Sequence, residues 1–210
     1  MDRHPGQDRG HRRLRLSGRI VGDSGQTVGL YIVAVAALFF LAFAFFAVGQ
    51  ASSVRNTAQT AADASALAAA REVRDSVRES FLGALEAGDL ERLAELLALN
   101  GMTAEGACGA AADYAAQNEA VVDECDVGGP NRATVALHSS GTVGKSVVPG
   151  TESMHANATA TAIVESRCGV DDKDGDTVTF ICAGDRLTVD PTADDFDLNL
   201  AEFYSVHLSE

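Results

Sequence analysis

The stretch VGLYIVAVAALFFLAFAFFAV, residues 28–48, decides the architecture of this chain. It runs for 21 residues without a charge, the length that an α-helix needs to cross a hydrocarbon layer of about 30 Å. Hydrocarbon offers no hydrogen-bond partners, so the backbone groups of such a run must pair within a helix. A core helix is the alternative, but a chain of 210 residues rarely encloses a helix on all sides. The sequence predicts a transmembrane helix at 25–49.

Charge predicts the orientation of this helix. Residues 1–24 contain six Arg against three Asp, whereas the rest of the chain carries 27 acidic and ten basic residues. Short Arg-rich flanks stay in the cytoplasm, so 1–24 is predicted to be a disordered cytoplasmic tail in a single-pass protein of the cell membrane. The acidic remainder is then extracytoplasmic, and it is unsuited to nucleic acid. Signal-peptide cleavage near Ala47-Val48-Gly49 is an alternative, although the run is longer than a usual signal core.

The segment 50–80 has no Gly or Pro and consists mostly of good helix formers. It is predicted to continue the membrane helix as an Ala-rich stalk. Small side chains recur at helical spacing on one face, in the row Ala58, Ala62, Ala66 and Ala70 beside Ala61, Ser65 and Ala69. Such a stripe lets another backbone approach closely. It favours packing against either a second copy, as a homo-oligomer, or the chain's own domain.

The segment 81–190 is predicted to be a small extracytoplasmic domain of helices packed on an antiparallel sheet. Helical segments broken at Gly88-Asp89 and Asn100-Gly101 come first. The period then changes to two, which predicts strands at 120–127, 132–139, 157–167, 177–182 and 186–189. Residues 191–210 are predicted to be an acidic C-terminal tail. The fold class is therefore α+β, with a long N-terminal transmembrane helix that continues into a stalk.

Four cysteines follow the membrane helix: Cys108, Cys125, Cys168 and Cys182. An even number in an exported domain indicates two disulfides, with three connectivities open. The local pairs Cys108–Cys125 and Cys168–Cys182 fit the predicted order of elements. Zinc is the rival, but no C-x-x-C occurs, and His138, His155 and His207 are far apart in the sequence. No metal site is predicted.

No catalytic motif is found, which argues against an enzyme such as a secreted hydrolase and gives no reason to expect a cofactor. The Asp-rich run at 172–176 resembles part of a calcium loop, but Ala183 stands where the bidentate Glu of an EF-hand is required. Asp-Gly is also common in turns between strands.

The segment 23–70 resembles the TadE/TadG-like proteins of Flp (type IVb-like) pilus assembly, in the form found in high-GC Gram-positive bacteria. The residues that carry the resemblance are DSGQT at 23–27, LYIVAVA at 30–36, VGQ at 48–50 and RNTAQTAADASALAAA at 55–70. The block from Cys108 to Cys125 is weakly similar to small TadE-like ectodomains. The resemblance implies a membrane-anchored, pseudopilin-like accessory protein of a pilus or related secretion apparatus, with the lipid bilayer and pilus or envelope proteins as partners.

Pilin-like members of that family are cut after a Gly by a prepilin peptidase, with a Glu five residues further on. Gly25 occupies the cleavage position and Gln26 would become the new N-terminus. Leu30 stands in place of the Glu, and Tyr31 in place of the aromatic residue that follows. The missing carboxylate favours an uncleaved anchor. The competing hypothesis is an extracytoplasmic sensor or ligand-binding domain, which would need an apolar pocket with a few convergent polar groups.

Overall fold

The structure is a computed structural model that describes residues 26–129, 131–142, 144, 150 and 152–209. The predicted tail at 1–24, together with Gly25, lies outside the described residues. The chain divides after Phe43 into two compact units. The first of them contributes the beginning of the long helix, and the second contains every strand described below.

The helices follow the predicted order along the chain. They are α1 (Gln26–Asp75), α2 (Arg78–Ala87), α3 (Leu90–Leu97), α4 (Ala107–Gln117) and the single turn α5 (Leu200–Phe203). The 50 residues of α1 run through the predicted membrane segment and most of the predicted stalk without interruption. The absence of Gly and Pro from residues 50–80 explains this continuity, since those residues are the common helix breakers.

The break between α2 and α3 is built by two residues. Gly88 adopts a left-handed conformation with φ of 63°, and the N–H groups of Gly88 and Asp89 donate to the carbonyls of Leu85 and Ala84. This is the Schellman arrangement, which glycine adopts without a Cβ penalty. The Asp89 carboxylate then accepts from the backbone N–H of Arg92 at 3.0 Å and caps α3. The chain thus turns within two residues, as the sequence predicted.

The strands form two antiparallel sheets. They are β1 (Ala120–Val127), β2 (Arg132–Thr142), β3 (His155–Ser166), β4 (Cys168–Asp174), β5 (Thr177–Cys182), β6 (Asp185–Val189) and β7 (Tyr204–Leu208). The larger sheet has the order β1-β2-β3-β7, and the smaller has the order β4-β5-β6. The chain leaves the larger sheet after β3, completes the meander β4-β5-β6, and returns as β7 beside β3.

One hydrophobic core joins both sheets to the helices. In β2 the buried residues alternate with less buried ones, so Ala133, Val135 and Leu137 face inward. They belong to the same buried cluster as the alanines of α1, Phe81 of α2 and Phe180 of β5. The rings of Phe81 and Phe203 lie 4.8 Å apart. Aromatic packing at this distance adds to the stabilisation that comes from buried area alone.

The predicted α+β class, with a long apolar helix before helices and antiparallel strands, is confirmed. Two details differ from the prediction. The strands divide between two sheets, because β7 rather than β4 occupies the edge of β3. Residues 191–210, predicted as a tail, supply α5 and β7 and bury Leu198, Leu200, Phe203 and Tyr204. The acidic composition of this segment suggests a tail, but apolar side chains alternate with polar ones in Tyr204–Leu208. This alternation is sufficient to build an edge strand.

Candidate membrane anchor and packing surfaces

The first part of α1 exposes its apolar side chains on all sides. Leu30 and Tyr31 are each 74% exposed, and Phe40 is 69% exposed. Soluble proteins rarely leave a contiguous apolar surface of this size in water. Among the described residues, one helix is long and apolar enough to cross a membrane, and it is this one. At about 1.5 Å per residue, the run at 28–48 is roughly as long as the hydrocarbon layer is thick.

The predicted processing positions lie at the start of this helix. Gly25 is outside the described residues, Gln26 is the first residue of α1, and Leu30 and Tyr31 are on its exposed surface. The side chain at position 30 is a leucine and carries no charge. An uncleaved anchor therefore stays a prediction that a measurement of the N-terminus must decide.

The second part of α1 is buried by the chain itself. Ala58, Ala62 and Ala66 have no exposed area and Ala70 has 1%, and all four belong to the hydrophobic core together with strands of both sheets. Of the two partners left open by the sequence, the structure places the chain's own domain against this stripe. One face of the predicted stalk between residues 58 and 73 is thus part of the domain core, since alanine side chains allow the helix to pack closely.

Two disulfides hold the elements around this core. Cys108 of α4 is bonded to Cys125 of β1, and Cys168 is bonded to Cys182, its partner in the β4–β5 register. Both local pairings suggested by the order of elements are present. The cross-links span 17 and 14 residues, and loops of this size restrict the unfolded chain by about 3 kcal/mol each.

The Asp-rich run at 172–176 forms the end of β4 and the turn into β5. Gly175, with φ of 60°, supplies the left-handed residue that a tight hairpin requires. Asp171, just before the run, is paired with Arg186 of β6 at 3.1 Å. Within the described part of the chain, no group of three or more His, Cys, Asp or Glu side chains is placed to hold a metal ion. The turn accounts for the sequence pattern.

Three polar side chains that are distant in sequence meet on the larger sheet. The Nδ1 atom of His138 lies 2.7 Å from a carboxylate oxygen of Asp123, and the rings of His138 and His155 are 5.5 Å apart. The sequence alone predicts no contact between these histidines, which are far apart along the chain. Only the pairing of β1, β2 and β3 brings the three residues together, and the irregular register of that pairing has no signal in the sequence.

Two titratable groups have shifted pKa values. Burial raises the pKa of the Tyr204 phenol above its ordinary value, because the anion would lose its hydration. The pKa of Asp190 is lowered by hydrogen bonds from the Thr192 hydroxyl and backbone N–H, which favour the carboxylate. The Tyr204 hydroxyl is buried and has no hydrogen-bond partner among the described residues. These shifts belong to the structural core and a surface turn rather than to a reactive centre.

The exposed apolar helix and the disulfide-linked domain that follows it in the sequence fit a membrane-anchored protein of α+β class. Residues 25–72 match the model of a family described as putative Flp pilus-assembly TadE/G-like. Over this segment, the match confirms the family predicted from the sequence motifs. The match and the apolar helix together fit a pilus-associated membrane protein. The match covers α1 almost to its end and none of the sheets. No curated protein matches the chain, and no solved structure matches it either.

Proposed function

We propose that this chain is a single-pass, pseudopilin-like accessory protein of a Tad/Flp pilus or a related secretion apparatus. Its N-terminus would be cytoplasmic and its α+β domain extracytoplasmic. The observation that supports this most is the coincidence of the family match at 25–72 with the exposed apolar half of α1. The protein would act by holding the domain at the membrane for contact with pilus or envelope proteins, without catalysis.

The proposed orientation is supported by charge and by the cysteines. The Arg-rich segment precedes the apolar run and the acidic part follows it, which is the arrangement that the positive-inside rule favours. All four cysteines lie beyond the membrane segment and are disulfide-bonded. Disulfides persist in oxidising compartments outside the cytoplasm. Both features therefore support the same placement of the domain.

Any contact between copies of the chain would have to avoid the alanine stripe. Ala58, Ala62, Ala66 and Ala70 are covered within one chain, so the proposed homo-oligomer would use other exposed surfaces, such as that of α1 before residue 50. The rival sensor hypothesis finds less support in the structure. A cavity of 250 Å³ lies between α1 and the strands β3 and β7, but residues such as Gln59, Asp63 and Thr159 give it a mostly polar lining. Ligand sites are usually lined by apolar side chains.

Orientation and processing can be tested in one preparation. Intact cells carrying the chain with an N-terminal or a C-terminal epitope are treated with protease, and the full-length protein is analysed by mass spectrometry. We expect loss of the C-terminal epitope, retention of the N-terminal one, and a mass that includes residues 1–25. Digestion of the domain only after lysis would refute the orientation. A chain beginning at Gln26 would refute the uncleaved anchor.

The role in assembly needs a second experiment in a strain that lacks the gene. The wild-type chain is compared with a chain in which 28–48 is replaced by a generic Leu/Ala membrane helix of equal length. If the apolar helix takes part in assembly, the wild type restores surface filaments and the replacement does not, although both are anchored. If both restore them, the helix is only an anchor. If neither loss of the gene nor its return changes filament assembly or secretion, the pilus role is wrong.

A further inference from the structure

The outward face of the larger sheet carries a pair of histidines that are held in place by hydrogen bonds. Asp123 on β1 accepts from His138 on β2 across 2.7 Å, and the carbonyl of Ser139 lies 2.6 Å from Nδ1 of His155 on β3. A carboxylate and a carbonyl can only accept. The Nδ1 atom of each ring must therefore carry the proton, so the Nε2 atom of each neutral imidazole has a lone pair that can bind an ion.

The two rings are placed by interruptions of the strand pairing on both sides of β2. Between β1 and β2, Val122 pairs with Leu137 and Glu124 pairs with Ala136, so Asp123 has no opposite residue. Between β2 and β3, the register moves from His138–Asn157 to Thr142–His155. Bulges of this kind re-aim side chains and are frequent beside functional sites. Here the irregularity between β1 and β2 leaves Asp123 without an opposite residue. The irregularity between β2 and β3 shifts the register so that His155 approaches His138.

The spacing of the rings suits a shared ion. The ring centroids are 5.5 Å apart and the ring planes are inclined by 76°. A tetrahedral ion that binds two imidazole nitrogens at about 2.0–2.1 Å keeps the ring centroids roughly 5 Å apart. The His138 side chain is 33% exposed, so an ion can reach the pair from solvent.

The hydrogen bonds on Nδ1 are those that metal-binding histidines usually have. A ligating imidazole generally donates its other N–H to a carboxylate or a backbone carbonyl, which fixes the tautomer and the direction of the free nitrogen. His138 has the first kind of partner and His155 the second. The described part of the chain places no third His, Cys, Asp or Glu for a complete protein site, so water must fill the remaining positions.

We propose that His138 and His155 bind a divalent transition-metal ion of the zinc class through their Nε2 atoms, with Asp123 as the residue that orients His138. Imidazole ligands select such ions over calcium or magnesium. The bound ion would join β2 to β3 where their backbone pairing is interrupted. Because the site exists only in the folded domain, binding would also raise the unfolding temperature as the ion concentration increases. This proposal does not depend on the pilus function.

The test is a calorimetric titration of the full chain in detergent micelles with ZnCl₂. His4→Gln and His11→Gln are introduced first, so that histidines before the membrane helix do not contribute. We expect one ion per chain, and loss of that binding in both His138→Gln and His155→Gln. Asp123→Asn should weaken binding roughly 10- to 100-fold, as substitution of a partner that orients a ligand does. His207→Gln, at an exposed position of β7, is the matched control and should bind as the parent.

A second measurement separates loss of a ligand from loss of structure. In ¹⁵N-labelled protein, the histidine ring signals should show the Nδ1–H tautomer for His138 and His155, and zinc should shift their Nε2 signals while His207 stays unchanged. Circular dichroism checks that each variant is folded. The proposal is overturned if the parent binds no zinc, if zinc binds equally well to the two Gln variants, or if the Nε2 atoms carry the protons.

Discussion

The two halves of α1 differ in whether they bury their apolar side chains. Before residue 49 the large residues are exposed, with Phe40 at 69%, whereas from residue 58 the small ones are enclosed, with Ala66 at 0%. In a soluble protein the phenylalanines would be buried first. The difference fits one continuous helix whose first part lies in a membrane and whose second part lies in the domain core. Large apolar side chains face lipid in the proposed orientation, and small ones let the sheets approach the backbone.

Because of this difference, mutations in the two halves of α1 should affect different properties of the protein. A change before residue 49 should act on the membrane association of the chain and leave the domain folded. A change between residues 58 and 73 should act on the free energy of unfolding and leave the anchor intact. Matched substitutions in the two halves therefore test whether the helix really has two functions, and the expected effects can be ranked.

The largest effect is expected from two charges in the apolar half, Leu38→Arg with Phe40→Arg. Each Arg near the centre of a membrane helix costs about 2.5–3.5 kcal/mol on the insertion scale, so the pair costs about 5–7 kcal/mol. We expect the variant to move from the carbonate-resistant membrane pellet to the supernatant or to be degraded. Ser52→Arg with Ser53→Arg, at exposed positions of the same helix, is the control and should stay in the pellet. Retention of both variants would mean that 28–48 is not the anchor.

The next largest effect is expected from a Phe→Ala substitution, which can be made both in the domain core and in the apolar half of α1. Phe81 is fully buried and its ring lies 4.8 Å from that of Phe203, so Phe81→Ala should lower the free energy of unfolding by about 3–5 kcal/mol through lost burial and a cavity. Phe40→Ala should change it by less than about 0.5 kcal/mol, because Phe40 lies outside the core. Urea unfolding in detergent micelles, followed by circular dichroism, measures both. Equal losses would contradict the division of the helix.

A smaller effect is expected when an alanine is enlarged. Ala66→Leu adds atoms to a site with no exposed area and should cost about 1–3 kcal/mol of stability through overpacking. Ala37→Leu, at an exposed position of the apolar half, should be neutral for the domain. The same unfolding measurement separates them. If Ala66→Leu proved neutral while oligomer formation were lost, the stripe would be an interface between copies rather than part of the core.

The sequence predicted the elements better than their arrangement. The apolar run, the Gly88-Asp89 break and the strand at 120–127 depend on local patterns of hydropathy and capping, and the structure has each of them. Local patterns do not indicate which strands lie next to each other in a sheet. The sequence therefore does not predict that β7 returns to the edge of β3. The same limit applies to the site. Asp123, His138 and His155 meet only through two irregular registers, whose positions depend on packing across the sheet.

The smallest effect concerns Tyr204, which is buried at the edge of the larger sheet. Burial raises the pKa of its phenol, so above pH about 10 the unfolded chain loses this proton while the folded chain keeps it. The folded state then binds more protons, and its stability must fall as pH rises, by about 1.4 kcal/mol per pH unit for one group. Tyr204→Phe should remove this slope between pH 10 and 11.

At neutral pH the same substitution should change stability by less than about 1 kcal/mol, because the buried hydroxyl has no partner among the described residues and its removal breaks no hydrogen bond. Tyr114→Phe, on the exposed surface of α4, is the control and should retain the alkaline slope of the parent. Unfolding in urea at pH 7, 10 and 11 compares the three chains. Identical slopes in the parent and in Tyr204→Phe would show that the phenol reaches water in the folded domain. In that case β7 would be held less firmly against β3 than the burial of the Tyr204 side chain indicates.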